Sequence, residues 1–259
     1  MTEAMYRQIA DDLRQKIKTD ELAPGSRLPS ENDLQQRYTA SRNTVRDAIK
    51  WLITRGLVET RPGQGTFVTE RITPFVTTLT GDPGSNETAV YEAAVKAERR
   101  EPRVSPPQVE IQEATAQVAA ALGIDGGVSV ISRHERCFID DTPWSMQTSI
   151  YPMTLALRGA SRLLEAAEIE EGAVAYLAGQ LGIKQVGYHD QIKVRAPDEQ
   201  ETAFFKLPAD GRVSVFSVLR TTFDQEGKPV RLTFSIYPAD RNQFAVNVGN
   251  VPPVRPVAS

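Results

Sequence analysis

"PSENDLQQRYTASRNTVRDAIKWLITRGLVETRPGQGTFV", residues 29–68, decides the fold of the first quarter of the chain. Ser30 and Asp33 have the spacing of a capping box, with Asp in place of the longer Glu. Leu34 and Tyr38 then fall on one face of a short helix, and "TAS" breaks it. Ser41 caps a second helix whose face is Val45, Ala48, Ile49 and Leu52, and Gly56 ends it. "LVET-RPGQG-TFVT" predicts two short strands around a glycine-rich turn. Helices this close in sequence have helix-turn-helix spacing, in which the second helix enters the major groove of DNA. Arg42 and Arg46 lie one turn apart on one face, with Asn43 and Thr44 between them. Arginine can bond guanine O6 and N7 together, and a helix N-terminus with the hydroxyls of Ser41 and Thr44 suits a phosphate. The turn carries Arg61, Gly63, Gln64 and Gly65. Glycine lets one backbone come close to another, here a sugar-phosphate chain or a minor-groove floor. Singly, these are capped helix ends with solvated arginines. In this order they predict a DNA reader.

Outward from this stretch, Met5, Ile9, Leu13 and Ile17 recur every four residues and predict an amphipathic helix over 4–19. "ELAPGSRLPS" is a turn segment. Residues 70–87 ("TLTGDPGSNET") have linker composition. Beyond them the pattern predicts a helix over 112–122, one or two helices over 160–182, and strands over 128–139, 144–151, 185–195, 213–224 and 230–238. Antiparallel strands with interspersed helices predict an α+β domain. The Pro-rich tail "NVPPVRPVAS" is expected to fray. Asp140–Pro143 forms a turn between the first two strands. On the first of these, Arg133 and Arg136 are three apart, so a regular strand sends them to opposite faces; only a bulge would bring them to one cavity.

The net charge of −3 excludes a broadly basic coat, so a DNA site has to be local. From Arg27 to Arg61 seven basic residues face four acidic ones. The single Cys137 forbids an internal disulfide, and two histidines give no zinc spacing. His134 and His189 have no nucleophile or carboxylate set around them and read as structural. No apolar run reaches the ~20 residues of a membrane span. A cytoplasmic protein without metal or cofactor is expected.

"YRQIADDLRQKI", "LAPGSRLPSENDL", "SRNTVRDAIKWL" and "GQGTFV" closely resemble the winged helix-turn-helix of GntR-family transcription regulators, over residues 5–69. The resemblance implies that Arg42, Thr44 and Arg46 contact DNA from the recognition helix, with Ser30, Ser41 and Asn43 beside them. Asn32 stands where many members carry a basic contact residue. Gly63 and Gly65 match the wing. Pro62 stands where some members carry a larger side chain for the minor groove, which leaves that part to Arg61 or Gln64.

"RHERCFIDDTPWSMQTSIYP", "GYHDQIKVRAPDEQE" and "LRTTFDQEGKPVRLTFSIYPADRNQF" resemble the UTRA effector domain of the HutC subfamily, which is similar to the chorismate lyase fold. This likeness covers about residues 89–248. It implies an α+β domain with an antiparallel sheet and an effector pocket. Arg133, Arg136 and Ser149 would hold an anionic group, Tyr151 and Tyr237 would wall the pocket, and Arg220 would lie on a strand beside it. Gln147 and Arg231 stand where sugar-phosphate binders carry glutamates. The expected organisation is a DNA-binding domain over 1–70, a linker over 71–88 and an effector and dimerisation domain over 89–259. The expected function is a homodimeric repressor, released from an inverted-repeat operator in double-stranded DNA by a small anionic effector. A lyase-like enzyme fused to a DNA-binding module and a constitutive DNA-binding dimer are the competing readings.

Overall fold

The computed structural model describes residues 5–69, 73–79, 81–208 and 211–248. The chain divides into two compact units, Met1–Thr73 and Pro74–Ser259. The tail expected to fray lies outside the described residues.

The first unit contains α1 (Met5–Lys18), α2 (Glu31–Tyr38), α3 (Arg42–Thr54), β1 (Val58–Arg61) and β2 (Gly65–Val68). The i, i+4 spacing of α1 buries Ile9, Leu13 and Ile17, while Met5 is 42% exposed in the first turn, off the expected apolar face. The core joins Leu13, Leu34, Val45, Leu52, Val58 and Val68, all within 1% of full burial. Each such side chain contributes about 1.5–3 kcal/mol, so a unit this small is held by few contacts. The Ser30–Asp33 capping box is complete, and Thr39 ends α2 in the left-handed region. Ser41 accepts from the Thr44 amide and starts α3. β1 and β2 pair antiparallel, Val58 opposite Val68.

The second unit runs β3 (Phe75–Thr78), α4 (Glu87–Ala97), β4 (Pro102–Val104), β5 (Gln108–Glu113), α5 (Ala116–Leu122), β6 (Ser129–Ile139), β7 (Thr142–Pro152), α6 (Met153–Leu157), a 3-10 turn (Ser161–Leu164), α7 (Ala173–Leu181), β8 (Gln185–Arg195), α8 (Glu199–Phe205), β9 (Val215–Asp224), β10 (Pro229–Pro238) and β11 (Asn242–Ala245). Its main sheet has the order β4-β6-β7-β10-β9-β8, with β5 also on β6, and every pair in it is antiparallel. Asp140 and Asp141 both take positive φ, which turns β6 tightly into β7. The predicted helix over 112–122 begins only at Ala116, because Gln108–Glu113 pairs as a strand with β6.

Strand parity sorts the sheet's side chains. Arg133 lies opposite Ser149, Ser149 opposite Thr233, Thr233 opposite Arg220 and Arg220 opposite Asp190. One step along, Glu135 lies opposite Gln147 and Gln147 opposite Ser235. These residues share a face, because alternate residues of a strand point the same way. The other face carries Val130, Ile150 and Leu232 against Val118 and Leu122 of α5.

The stretch read as a linker is, from Pro74 on, part of this unit. Phe75–Thr78 pairs in parallel with Asn242–Ala245, and the Gly81 amide donates to the Tyr188 hydroxyl at 2.9 Å. Its Thr, Pro and Gly content marks tight turns, not slack chain.

Candidate nucleic-acid interface and ligand cavity

Arg42 and Arg46 project from one side of α3 with side chains 71% and 64% exposed. Glu31 of α2 tethers both: Arg42 Nε donates to it at 3.2 Å and Arg46 Nε lies 4.0 Å away. Exposed pairs of this kind are worth little, so the guanidiniums remain free to exchange a carboxylate for DNA. Thr44 and Ser41 share a 2.8 Å hydroxyl contact at the helix start, and Asn43 stands exposed beside them. Asn32 is occupied with Gln35 at 3.3 Å. At the wing, Arg61 lies over the Phe67 ring at 4.5 Å and bonds Glu59 at 2.9 Å. Gln64 and Gly63 sit exposed at the tip.

Arg27, which sequence reading left unassigned, pairs in a one-residue bridge with Phe67. A Cβ on Gly65 would come 2.8 Å from Arg27 Nε, and Gly65 has φ +117°. Glycine there is what lets Arg27 lie under the wing. A bridge formed by one residue leaves no sequence periodicity to find.

The second unit holds a cavity of about 330 Å³. Its floor is the sheet face described above. Its wall is Phe75–Leu79 together with residues between 81 and 94, including the first part of α4. A smaller recess of about 60 Å³ adjoins it and shares Glu87, Glu135, Gln147 and Arg231. Gln147, Arg220, Arg231 and Tyr237 line the cavity, and Arg133, Ser149 and Tyr151 line the recess. Arg136 lines neither. It is exposed, sits opposite Met146 and stacks over Phe204 at 5.2 Å. The one register break between β6 and β7 falls after Cys137, where Trp144 is the extra residue. It therefore cannot rotate Arg136 to the face of Arg133.

Arg133 does not have the geometry of an anion clamp either. Its Nη1 donates to the carbonyls of Arg162, Leu163 and Glu165, and its Nη2 to that of Ala167. The side chain is 5% exposed and fastens the loop after α6. Arg231 donates twice to Glu87, at 3.0 and 2.7 Å. Arg220 donates twice to Asp190, both at 2.7 Å, and its Nη1 lies 3.5 Å from Glu87. Burial alone would raise the Glu87 pKa, but Arg231 and then Arg220 outweigh it and hold the carboxyl below its usual range. Tyr151 is fully buried and its pKa rises for that reason.

Glu135, missed in the sequence, faces both the cavity and the recess. Burial raises its pKa. The available signal was parity: two residues past Arg133 on a long strand is the same face. Burial also raises the Cys137 thiol to about 11, which disfavours its thiolate. His134 is on the opposite face, 2.7 Å from the Thr148 hydroxyl.

Residues 5–68 match the family described as bacterial regulatory proteins, gntR family, and residues 97–243 match the UTRA domain. The repressor NagR of Bacillus subtilis is 25% identical over 93% of both chains. The mannosyl-D-glycerate transport/metabolism system repressor MngR of Escherichia coli is 46% identical over 66 residues, 26% of this chain and 28% of that one. A crystal structure of a GntR-family transcriptional regulator superposes with TM-score 0.65 at 25% identity, over 95% of this chain and 98% of that one. PhnF of Mycobacterium smegmatis shares the fold, with TM-score 0.57 at 23% identity over 93% and 99%. An exposed arginine pair on a capped second helix, a glycine wing and an antiparallel sheet under a cavity thus occur in the order of one architecture: the chain belongs to the gntR family of bacterial transcription regulators, in its HutC-type branch with a UTRA domain.

Proposed function

We propose that this regulator is a homodimeric repressor of an inverted-repeat operator, and that a small molecule in the UTRA cavity changes its affinity for DNA. The carrying observation is the origin of the cavity wall. The first residues of the second unit, Phe75–Thr78, line it, and so does the next element, α4, from Glu87 on. A ligand there touches the chain immediately after the DNA-binding unit, and differential contact with this wall is what a ligand needs to shift an equilibrium between two arrangements. The names of NagR and MngR support repression. A single short recognition helix reads few bases, so two symmetric half-sites bound by a dimer would give the needed affinity.

In the DNA-binding unit, Arg42 and Arg46 would read bases, with Asn43 and Thr44 beside them. Ser30, Asn32 and Ser41 would face phosphates. Arg61, Gly63, Gln64 and Gly65 would lie along the minor groove. The test selects duplexes from a random pool with the full-length protein and footprints the winners. Two symmetric protected half-sites on a protein that sediments as a dimer are expected. A monomer protecting one asymmetric site would refute the reading.

A further inference from the structure

We infer that the cavity takes a cation, a small primary amine bearing several hydroxyls, with its ammonium on Glu135 and its hydroxyls toward Thr222, Thr233 and Trp144. This rests on the cavity being the ligand site proposed above, and it replaces the anionic effector expected from the arginine content.

The arginines argue against an anion once their partners are known. Arg231 spends both terminal nitrogens on Glu87, and Arg220 spends Nε and Nη2 on Asp190. A ligand carboxylate or phosphate would have to expel one of these carboxylates or sit beside it, and breaking a buried pair strands a charge. The charged residues lining the cavity are Asp82, Glu87 and Glu135 against Arg220 and Arg231, so negative charge is in excess before Asp190 is included.

Glu135 stands apart from the rest. Among the described residues its carboxylate has no hydrogen bond or ion pair, yet it faces both the cavity and the recess. Arg133, its neighbour on the same face, is committed to loop carbonyls. A carboxylate held in a half-dry wall without a partner is complementary to an ammonium.

The hydroxyl preference comes from a second set of atoms. Thr222 Oγ1, Thr233 Oγ1 and Trp144 Nε1 have no protein partner. All three belong to cavity-lining residues exposed by 4% or less, and the atoms themselves lie just behind the cavity surface. Buried polar groups are normally paired, and a polyol could pair with these once the wall relaxes toward it. A cavity of about 330 Å³ is at the small end of ligand sites, which suits a molecule of about six carbons.

Three probes that differ only at one terminal carbon test the charge: glucamine with an ammonium, sorbitol with a hydroxyl and gluconate with a carboxylate. Binding to the full-length protein is measured by calorimetry. Glucamine should bind tightest and gluconate weakest. Glu135→Gln, which keeps the shape, should weaken glucamine about ten- to hundredfold, the worth of a hydrogen bond to a charged group, and leave sorbitol unchanged. Ala94→Trp, which fills the cavity from its exposed rim, should abolish glucamine binding with the far-UV circular dichroism unaltered. Gluconate binding as tightly as glucamine, equal glucamine binding by Glu135→Gln and wild type, or no binding of any probe would each overturn the cation assignment. Glucamine binding that survives Ala94→Trp would instead overturn the cavity as the ligand site.

Discussion

Arg231→Met tests whether the cavity floor is a prebuilt ion pair or a free anion clamp. The variant keeps most of the side-chain volume and removes the charge, so it leaves Glu87 without its bidentate partner. Breaking a buried pair costs about 3–5 kcal/mol. The Arg231 side chain is 5% exposed, but that of Glu87 is 33% exposed and recovers some hydration. About 3 kcal/mol is therefore expected. The double variant Glu87→Leu/Arg231→Met replaces both charges by apolar groups and should cost less than about 1.5 kcal/mol, because two matched apolar groups leave nothing unpaired. The assay is urea unfolding of the full chain followed by Trp144 fluorescence in a Trp51→Phe background. Because Arg231 depresses the Glu87 pKa, the pair's contribution is complete above the ordinary carboxylate range and disappears as pH falls through the depressed folded value. The coupling should thus be full at neutral pH and shrink only in acid. Additivity of Glu87→Leu and Arg231→Met within about 0.5 kcal/mol, or a coupling unchanged in acid, would show that the two charges do not act as a pair.

Other outcomes follow from the same contacts. Arg42→Ala and Arg46→Ala should each lose about 1–3 kcal/mol of specific DNA binding at matched salt, with unfolding unchanged, since both are surface residues. Gly65→Ala should weaken DNA binding and lower the melting temperature of the first unit, because φ +117° is strained for any residue with a Cβ and that Cβ would also displace the Arg27 guanidinium; an unaltered melting curve would remove the argument for glycine there. Arg133→Met should cost about 1–3 kcal/mol in unfolding experiments by leaving loop carbonyls unmatched. Arg136→Ala should leave ligand affinity unchanged in calorimetry, since that side chain is on the other face of the sheet.

The DNA-binding unit was legible in the sequence because its determinants are local. Ser30 with Asp33, Ser41 with Thr44, and the i, i+4 rows of α1 and α3 are contacts between near neighbours. The strands β6 to β10 were legible for the same reason, since alternation is a local property. The cavity was not. Its central ion pair joins Glu87 to Arg231 across 144 residues, and its wall comes from a segment whose composition reads as linker. The expectation of an anionic effector rested on arginines at strand positions, and a sequence shows charges without the partners that Arg231 and Arg220 have in the fold. Parity along β6 was the one usable signal, and it favoured Glu135 over Arg136.

Operator affinity of the full-length protein reports whether a ligand in the cavity acts on DNA binding. It is measured on a selected duplex with and without the small-molecule fraction of a bacterial extract, for wild type and for Ala94→Trp. A shift in affinity is expected for the wild type and none for the variant, with both binding the duplex equally in the absence of extract. Equal shifts in the two proteins, or no shift in the wild type, would contradict that action.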